Sequence, residues 1–187
     1  VDEIATISDE EIKNWVATDN YSELEARLKQ VDFKGYIPDL KNLQDGATAF
    51  DAEGFAKDGS HCVAFNYKPF PGTFWPTNGS TDDVMIRLSK PYRENNNGNY
   101  IRDIYKANLA ILEANIKGVD RITVRNVDEK IVGKDLNGDQ KLSVIDQIIQ
   151  LDNFVGAASE FFKQTYTYPK DTEFLHTVRY LGFDEKG

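Results

Sequence analysis

Apolar residues recur at helical spacing in two stretches near the start of the chain. Ile12, Trp15 and Val16 follow the capping box Ser8-Asp9-Glu10-Glu11, and Leu24 and Leu28 follow a second box running from Ser22 to Glu25. Together they predict a short helical hairpin over residues 1–31, separate from a body over 32–187. Residues 32–60 lose the periodicity and are rich in Gly and Asp, so they read as irregular chain anchored by Phe50 and Phe55. Alternation then returns. Val63, Phe65 and Tyr67 form one strand pattern and Val84, Ile86 and Leu88 another.

The longest helical pattern covers 100–117 and stops at Gly118. Ile101, Ile104, Tyr105, Leu109, Leu112 and Ile116 form its apolar stripe, and Ala107, Ala110 and Ala114 permit close packing. Ile122-Thr123-Val124 predicts a short strand. Ile148, Leu151, Val155, Phe161 and Phe162 predict a second long helix over 144–163, and 174–181 gives a last strand. These elements predict an α+β fold, mainly helical, with a few short strands and extensive irregular loops.

Between the two long helical patterns lies the chain's sharpest chemical signal. Asp135, Asn137, Asp139, Ser143 and Asp146 place side-chain oxygens at the first, third, fifth, ninth and twelfth positions of a twelve-residue run. Lys141, at the seventh, would add its backbone carbonyl. Calcium takes six to eight hard oxygen ligands, and this spacing supplies them from one short loop. Without an ion the same residues make a polar turn, with Ser143 capping the helix that follows.

The run resembles the dockerin type of EF-hand, in which D-x-N-G-D-x-K leads into a helix. That resemblance implies one bound calcium ion, and it covers roughly twenty residues with the following helix included. The sixth position is Gln140 where Gly is usual, so a residue with a Cβ must take the sharp turn. The twelfth is Asp146 rather than Glu, a shorter arm that implies modest affinity. No second copy of the loop occurs, so docking onto a cellulosome is not implied. A single loop suits a structural clip.

A second resemblance is to haem-free segments of large exported bacterial proteins related to c-type cytochromes. It is carried by 68–84, 105–113 and 176–181, which include Lys68-Pro69-Phe70-Pro71-Gly72-Thr73-Phe74-Trp75-Pro76 and His176-Thr177-Val178-Arg179-Tyr180-Leu181. It implies an envelope protein working beside an exported redox partner. The haem attachment pattern C-x-x-C-H is absent, and no motif supports haem or copper.

Composition narrows the partners. The net charge of −9 opposes nucleic acid and anionic membranes, both of which need a basic face. No apolar run has the length of a membrane span. Cys62, the single cysteine, excludes an internal disulfide. A calcium loop of modest affinity fills at extracellular or periplasmic calcium levels, which predicts export.

Two further groups carry candidate chemistry. His61, Cys62 and the distant His176 include both histidines, and could hold a transition metal or serve a redox site. Neighbours on a strand point to opposite faces, which argues against His61 and Cys62 sharing an ion and for a buried, inert thiol. Phe70, Phe74 and Trp75 stand in a proline-rigid loop that either faces a ligand or partner or plugs the core. The functional reading is a non-catalytic, exported calcium-binding protein that engages another protein. The alternative is an accessory or fragment of an exported cytochrome-related or copper redox system.

Overall fold

The computed structural model describes residues 8, 10, 20–34, 46–64 and 80–180, of which 20–22, 46–47, 80–84 and 176–180 are described as backbone only. Two compact units divide the chain at 65/66, where the sequence suggested a division after residue 31. Most of the first expected helix and the whole 65–79 aromatic loop, with Phe70, Phe74 and Trp75, lie outside the described residues.

In the first unit, helix α1 spans Asn20–Gln30. Among its described side chains Glu25 is the buried one, and it pairs with Lys29 one turn on. A one-turn helix α2, Gly46–Ala49, leads into a compact knot of chain ending at strand β1, Val63–Ala64. Asp51 shapes the knot, since its Oδ1 accepts the backbone N–H groups of Glu53 (2.9 Å) and Phe55 (3.1 Å). Phe55, Cys62 and Val63 fill its centre.

The second unit is built from two antiparallel strand pairs and one long helix. Strand β2, Ser80–Arg87, pairs along its whole length with the final strand β5, Glu173–Tyr180, and Arg87 forms a cross-strand ion pair with Glu173. Helix α3, Arg102–Lys117, ends where the sequence says it should, with Gly118 in the left-handed conformation at φ 64°. Beyond it, strand β3, Arg121–Asp128, runs into a one-turn helix α4, Glu129–Val132. Strand β4, Val144–Ile149, then returns antiparallel to β3. The pairing is in register at Arg121–Thr123 and again at Val127–Asp128, with a bulge between, where Asn126 takes φ 47°.

Two expectations are corrected. The long helix over 144–163 does not exist: 144–149 is strand β4, and a 3₁₀ turn at Gly156–Ala158 is the helical piece beyond it. Val144, Ile145, Ile148 and Ile149 satisfy a helical spacing, but all four are β-branched and stiff at χ1, which favours the pleated conformation once a partner strand is present. The fold is therefore α+β but not mainly helical.

Helix α3 also buries more than one stripe. Ile111, Asn108 and Asn115 are buried alongside Ile104, Tyr105 and Leu112, while Leu109 and Ile116 are only half-buried. One side of the helix packs on β3 and β4, and another meets the chain around Tyr92 and Val155. Asn108 serves that second contact. Its Nδ2 donates to the carbonyls of Tyr92 (2.9 Å) and Val155 (3.0 Å), and its Oδ1 accepts from the Val155 N–H (2.8 Å). Gly156 follows at φ 67°, where a Cβ would stand 2.6 Å from the Glu94 carbonyl and 2.7 Å from Ile104 Cγ2.

A candidate cation loop clasped by a buried glutamate

The turn from β3 to β4 carries the sequence's candidate ligands. Asp135 folds the loop over itself, with Oδ1 accepting from the Gly138 N–H (2.7 Å) and Oδ2 from the Gln140 N–H (2.8 Å). Asn137 Oδ1 accepts from the Asp139 N–H (2.9 Å), and Asp139 Oδ1 from the Lys141 N–H (2.8 Å). Side-chain oxygens at alternate positions thus turn the chain inward, the habit of Asx residues in tight turns. Gly138 at φ 78° and Gln140 at φ 65° take the left-handed corners. The backbone N–H groups, that of Gln140 foremost, hold the Asp135 carboxyl below its usual range, and desolvation opposes them.

One residue in this arrangement was not singled out in the sequence. Glu129 is fully buried, with no solvent exposure. Its Oε1 accepts from the N–H groups of Leu136 (2.6 Å) and Asn137 (3.2 Å), and its Oε2 from that of Ser143 (3.0 Å). The backbone N–H of Glu129 donates to the Ser143 carbonyl at 3.0 Å. Glu129 and Ser143 therefore extend the β3–β4 ladder one step past the Asp128–Val144 pair, a carboxylate oxygen replacing a backbone carbonyl. The only sequence signal was a charged residue between Val127 and Ile131, too little to mark it.

Among the described residues, Glu129, Asp135 and Asp139 form the group whose ligand atoms lie close enough to share one ion, all within 4.8 Å of one another. None of these three carboxylates has an ion-pair partner among the described residues. Asn137 stands between the two aspartates and donates from Nδ2 to Asp139 Oδ2 at 3.2 Å. Asp146 and Ser143 line an open, mainly polar groove beside the loop, with Arg121, Asn137, Asp139 and Gln147, but the Asp146 carboxylate is not in the close group. Leu142 is exposed, and Leu136 is buried beneath the loop. The Leu136 carbonyl accepts from the Ile149 N–H at 2.9 Å, which pins the loop to the end of β4.

The other candidates fall elsewhere. His61 takes φ 62° and is half-buried beside the buried Cys62 in the first unit. His176 sits opposite Val84 on β5 in the second unit, where only its backbone is described. Among the described residues no helix is long and apolar enough to cross a membrane.

Comparison with known proteins bears on kinship. A lipoprotein family model matches residues 2–187. An "Uncharacterized lipoprotein" of Aquifex aeolicus (strain VF5) is 35% identical over 184 residues, which is 93% of this chain and 30% of the relative. The chain therefore spans about 30% of the length of that curated relative. No solved structure matches. The match overturns the likeness to EF-hand and dockerin families and to cytochrome-related proteins. Local structure agrees on the first count, since an EF-hand loop leads into a helix and this one leads into strand β4.

Proposed function

The chain belongs to this lipoprotein family, a family of exported, envelope-associated proteins, and we propose that within it the 129–149 turn binds one calcium ion that fixes the β3–β4 connection. The observation that carries the reading is the convergence of the Glu129, Asp135 and Asp139 carboxylates on one point, with no cationic side chain paired to any of them among the described residues. Three like charges held so close repel one another, and a divalent cation relieves the repulsion. Asp135 and Asp139 offer carboxylate oxygens, Asn137 an amide oxygen and Lys141 a backbone carbonyl. Ser143 lines the adjoining groove, while Asp146, outside the close group, is not counted among the donors. Hard oxygens select calcium or magnesium over the softer metals, and a loop of several short ligands suits the larger, less demanding ion.

In this reading the ion is structural and the unit presents a surface to another protein. Phe161, Phe162 and Tyr166, on the chain between β4 and β5, are among the exposed large apolar side chains of the described residues and could make such a contact. The test of the calcium reading is thermal unfolding in EGTA and after addition of calcium or magnesium. A ligand held a hundredfold above its dissociation constant adds about 2.7 kcal/mol to stability. The expected result is a melting temperature that falls in EGTA and recovers with calcium. An unchanged melting temperature at millimolar calcium would leave 135–146 as a polar turn.

A further inference from the structure

We infer that the open edge of strand β4 is a docking site for an extended, lysine- or arginine-bearing segment of a partner protein, which adds to the β3–β4 ribbon as a further strand. The inference does not use the calcium reading and would stand without it. It begins with the ladder. Partners in an antiparallel pair alternate between those that exchange hydrogen bonds and those whose N–H and C=O groups point away from each other. At one end the Gln150 N–H donates to the Asp120 carbonyl at 2.7 Å, so along the register Ile148 and Ile122 are a bonded pair while Gln147 and Ile149 turn outward. Ile149 shows this directly, because its N–H donates to the Leu136 carbonyl on the outer side (2.9 Å). At the other end the Glu129 N–H donates to the Ser143 carbonyl, which turns Val144 outward in the same way. The loop thus starts a third strand at Leu136 and then leaves it, as the Asp135 and Asn137 side chains curl it back on itself. Among the described residues, no backbone group is hydrogen-bonded to Val144 or Gln147 from that outer side.

A groove of about 380 Å³ stands where the third strand would continue. It is lined by residues 137–139 of the loop and by the consecutive residues 143–147, with Arg121 beside them. Neighbours on a strand face opposite ways, so a lining that takes every residue in turn follows the strand's edge and not one of its faces. Proteins blunt open edges with lysine, proline or a covering segment. Residues 144–147 carry neither lysine nor proline, and Val144 is 61% exposed. Extended peptides bind such edges through main-chain hydrogen bonds, and side-chain complementarity selects among them. Charge selects the occupant here. Asp139 and Asp146 line the groove against the single cation Arg121, and neither carboxylate has an ion-pair partner among the described residues. Asp146 sits on the edge strand itself, where a lysine directly opposite is favourable and an acidic residue is not. A second copy of this chain, at net charge −9, would bring like charge to the edge.

The experiment uses the whole chain in EGTA, which separates it from any effect of calcium, and a short capped peptide of alternating lysine and threonine as the probe. Amide exchange read by NMR is expected to show the Val144 and Gln147 N–H groups exchanging freely in the unliganded chain and protected at millimolar peptide. The same peptide N-methylated at alternate residues keeps its charge and loses its hydrogen-bonding edge. It is expected to bind at least about tenfold more weakly. Gln147→Pro, which removes an outward N–H and leaves the β3 ladder alone, is expected to weaken the unmodified peptide by a similar factor. Asp146→Lys, which keeps every backbone group in place, is expected to weaken it roughly threefold or more. Protection of both amides before peptide is added, whether by a second copy or by another part of the chain, would overturn the inference. Equal binding of the N-methylated peptide would overturn it too, reducing the groove to an acidic surface. So would exchange at these two amides unchanged by millimolar peptide. A chain that binds no calcium leaves each of these outcomes readable, so the two readings fail separately.

Discussion

Replacing Asn108 by Leu keeps the volume of the side chain and removes its chemistry. Three backbone groups then lose their partner at once: the carbonyls of Tyr92 and Val155 and the Val155 N–H. Tyr92 is 7% exposed, Val155 2% and Asn108 not at all, so water cannot step in without opening the packing. Each buried polar group left unsatisfied costs about 1–3 kcal/mol. Burying the new apolar surface returns about 1.5–3 kcal/mol. The net expectation is a loss of about 2–5 kcal/mol, since the carbonyls relax more readily than the N–H. For a unit of this size each kcal/mol lowers the melting temperature by roughly 4 °C. Scanning calorimetry on Asn108→Leu should therefore give a fall of about 8–20 °C. Asn153→Ala is the control, because its Nδ2 donates to the Ser159 carbonyl in an exposed setting. It should stay within about 0.5 kcal/mol of wild type. An Asn108→Leu protein as stable as wild type would show that the contact between α3 and the Tyr92 and Val155 segments does not depend on this side chain.

Other outcomes follow from single positions. Gly156→Ala should destabilise by at least about 1–3 kcal/mol, because its φ of 67° is strained for any residue with a Cβ, and that Cβ meets the Glu94 carbonyl and Ile104; chemical denaturation measures it. Leu136→Ala, emptying a fully buried site beneath the loop, should cost about 2–5 kcal/mol. The pH dependence has a definite sign. Asp135 has a folded pKa below its ordinary 3.8, so its hydrogen bonds to Gly138 and Gln140 stabilise the fold above that value and are lost as the pH falls through the folded pKa. Urea melts below pH 4 should therefore show a shallower acid slope in Asp135→Asn than in wild type. An unchanged slope would mean that the loop is equally open in both states.

How much of this was legible in the sequence divides by the range of the interactions. Helix α3 was readable because its signals are local: apolar spacing, three alanines and a terminal glycine. Strand β5 was readable for similar reasons. The stretch 144–163 was not, since its apolar residues fit a helix, and only the partner strand, whose paired residues lie 16 to 28 positions earlier, makes the extended form the better one. Strand β3 extends four residues past the expected Val124, to Asp128, through a bulge no local pattern announces. The loop's alternate oxygens were visible as a motif, yet the family they suggested was wrong. Asp, Asn and Gly at a few places in a twelve-residue run encode a turn geometry that unrelated chains can adopt. Glu129 was invisible because what distinguishes it is burial and three distant N–H partners, and neither property is written at position 129.

The most direct test of the central claim is equilibrium dialysis of the whole chain against radioactive calcium at millimolar free ion, alongside Asp135→Ala and Asp139→Ala. One ion per wild-type chain, displaced poorly by magnesium and absent from both variants, is the predicted result. Equal retention of calcium by all three proteins, or none by the wild type, would contradict it.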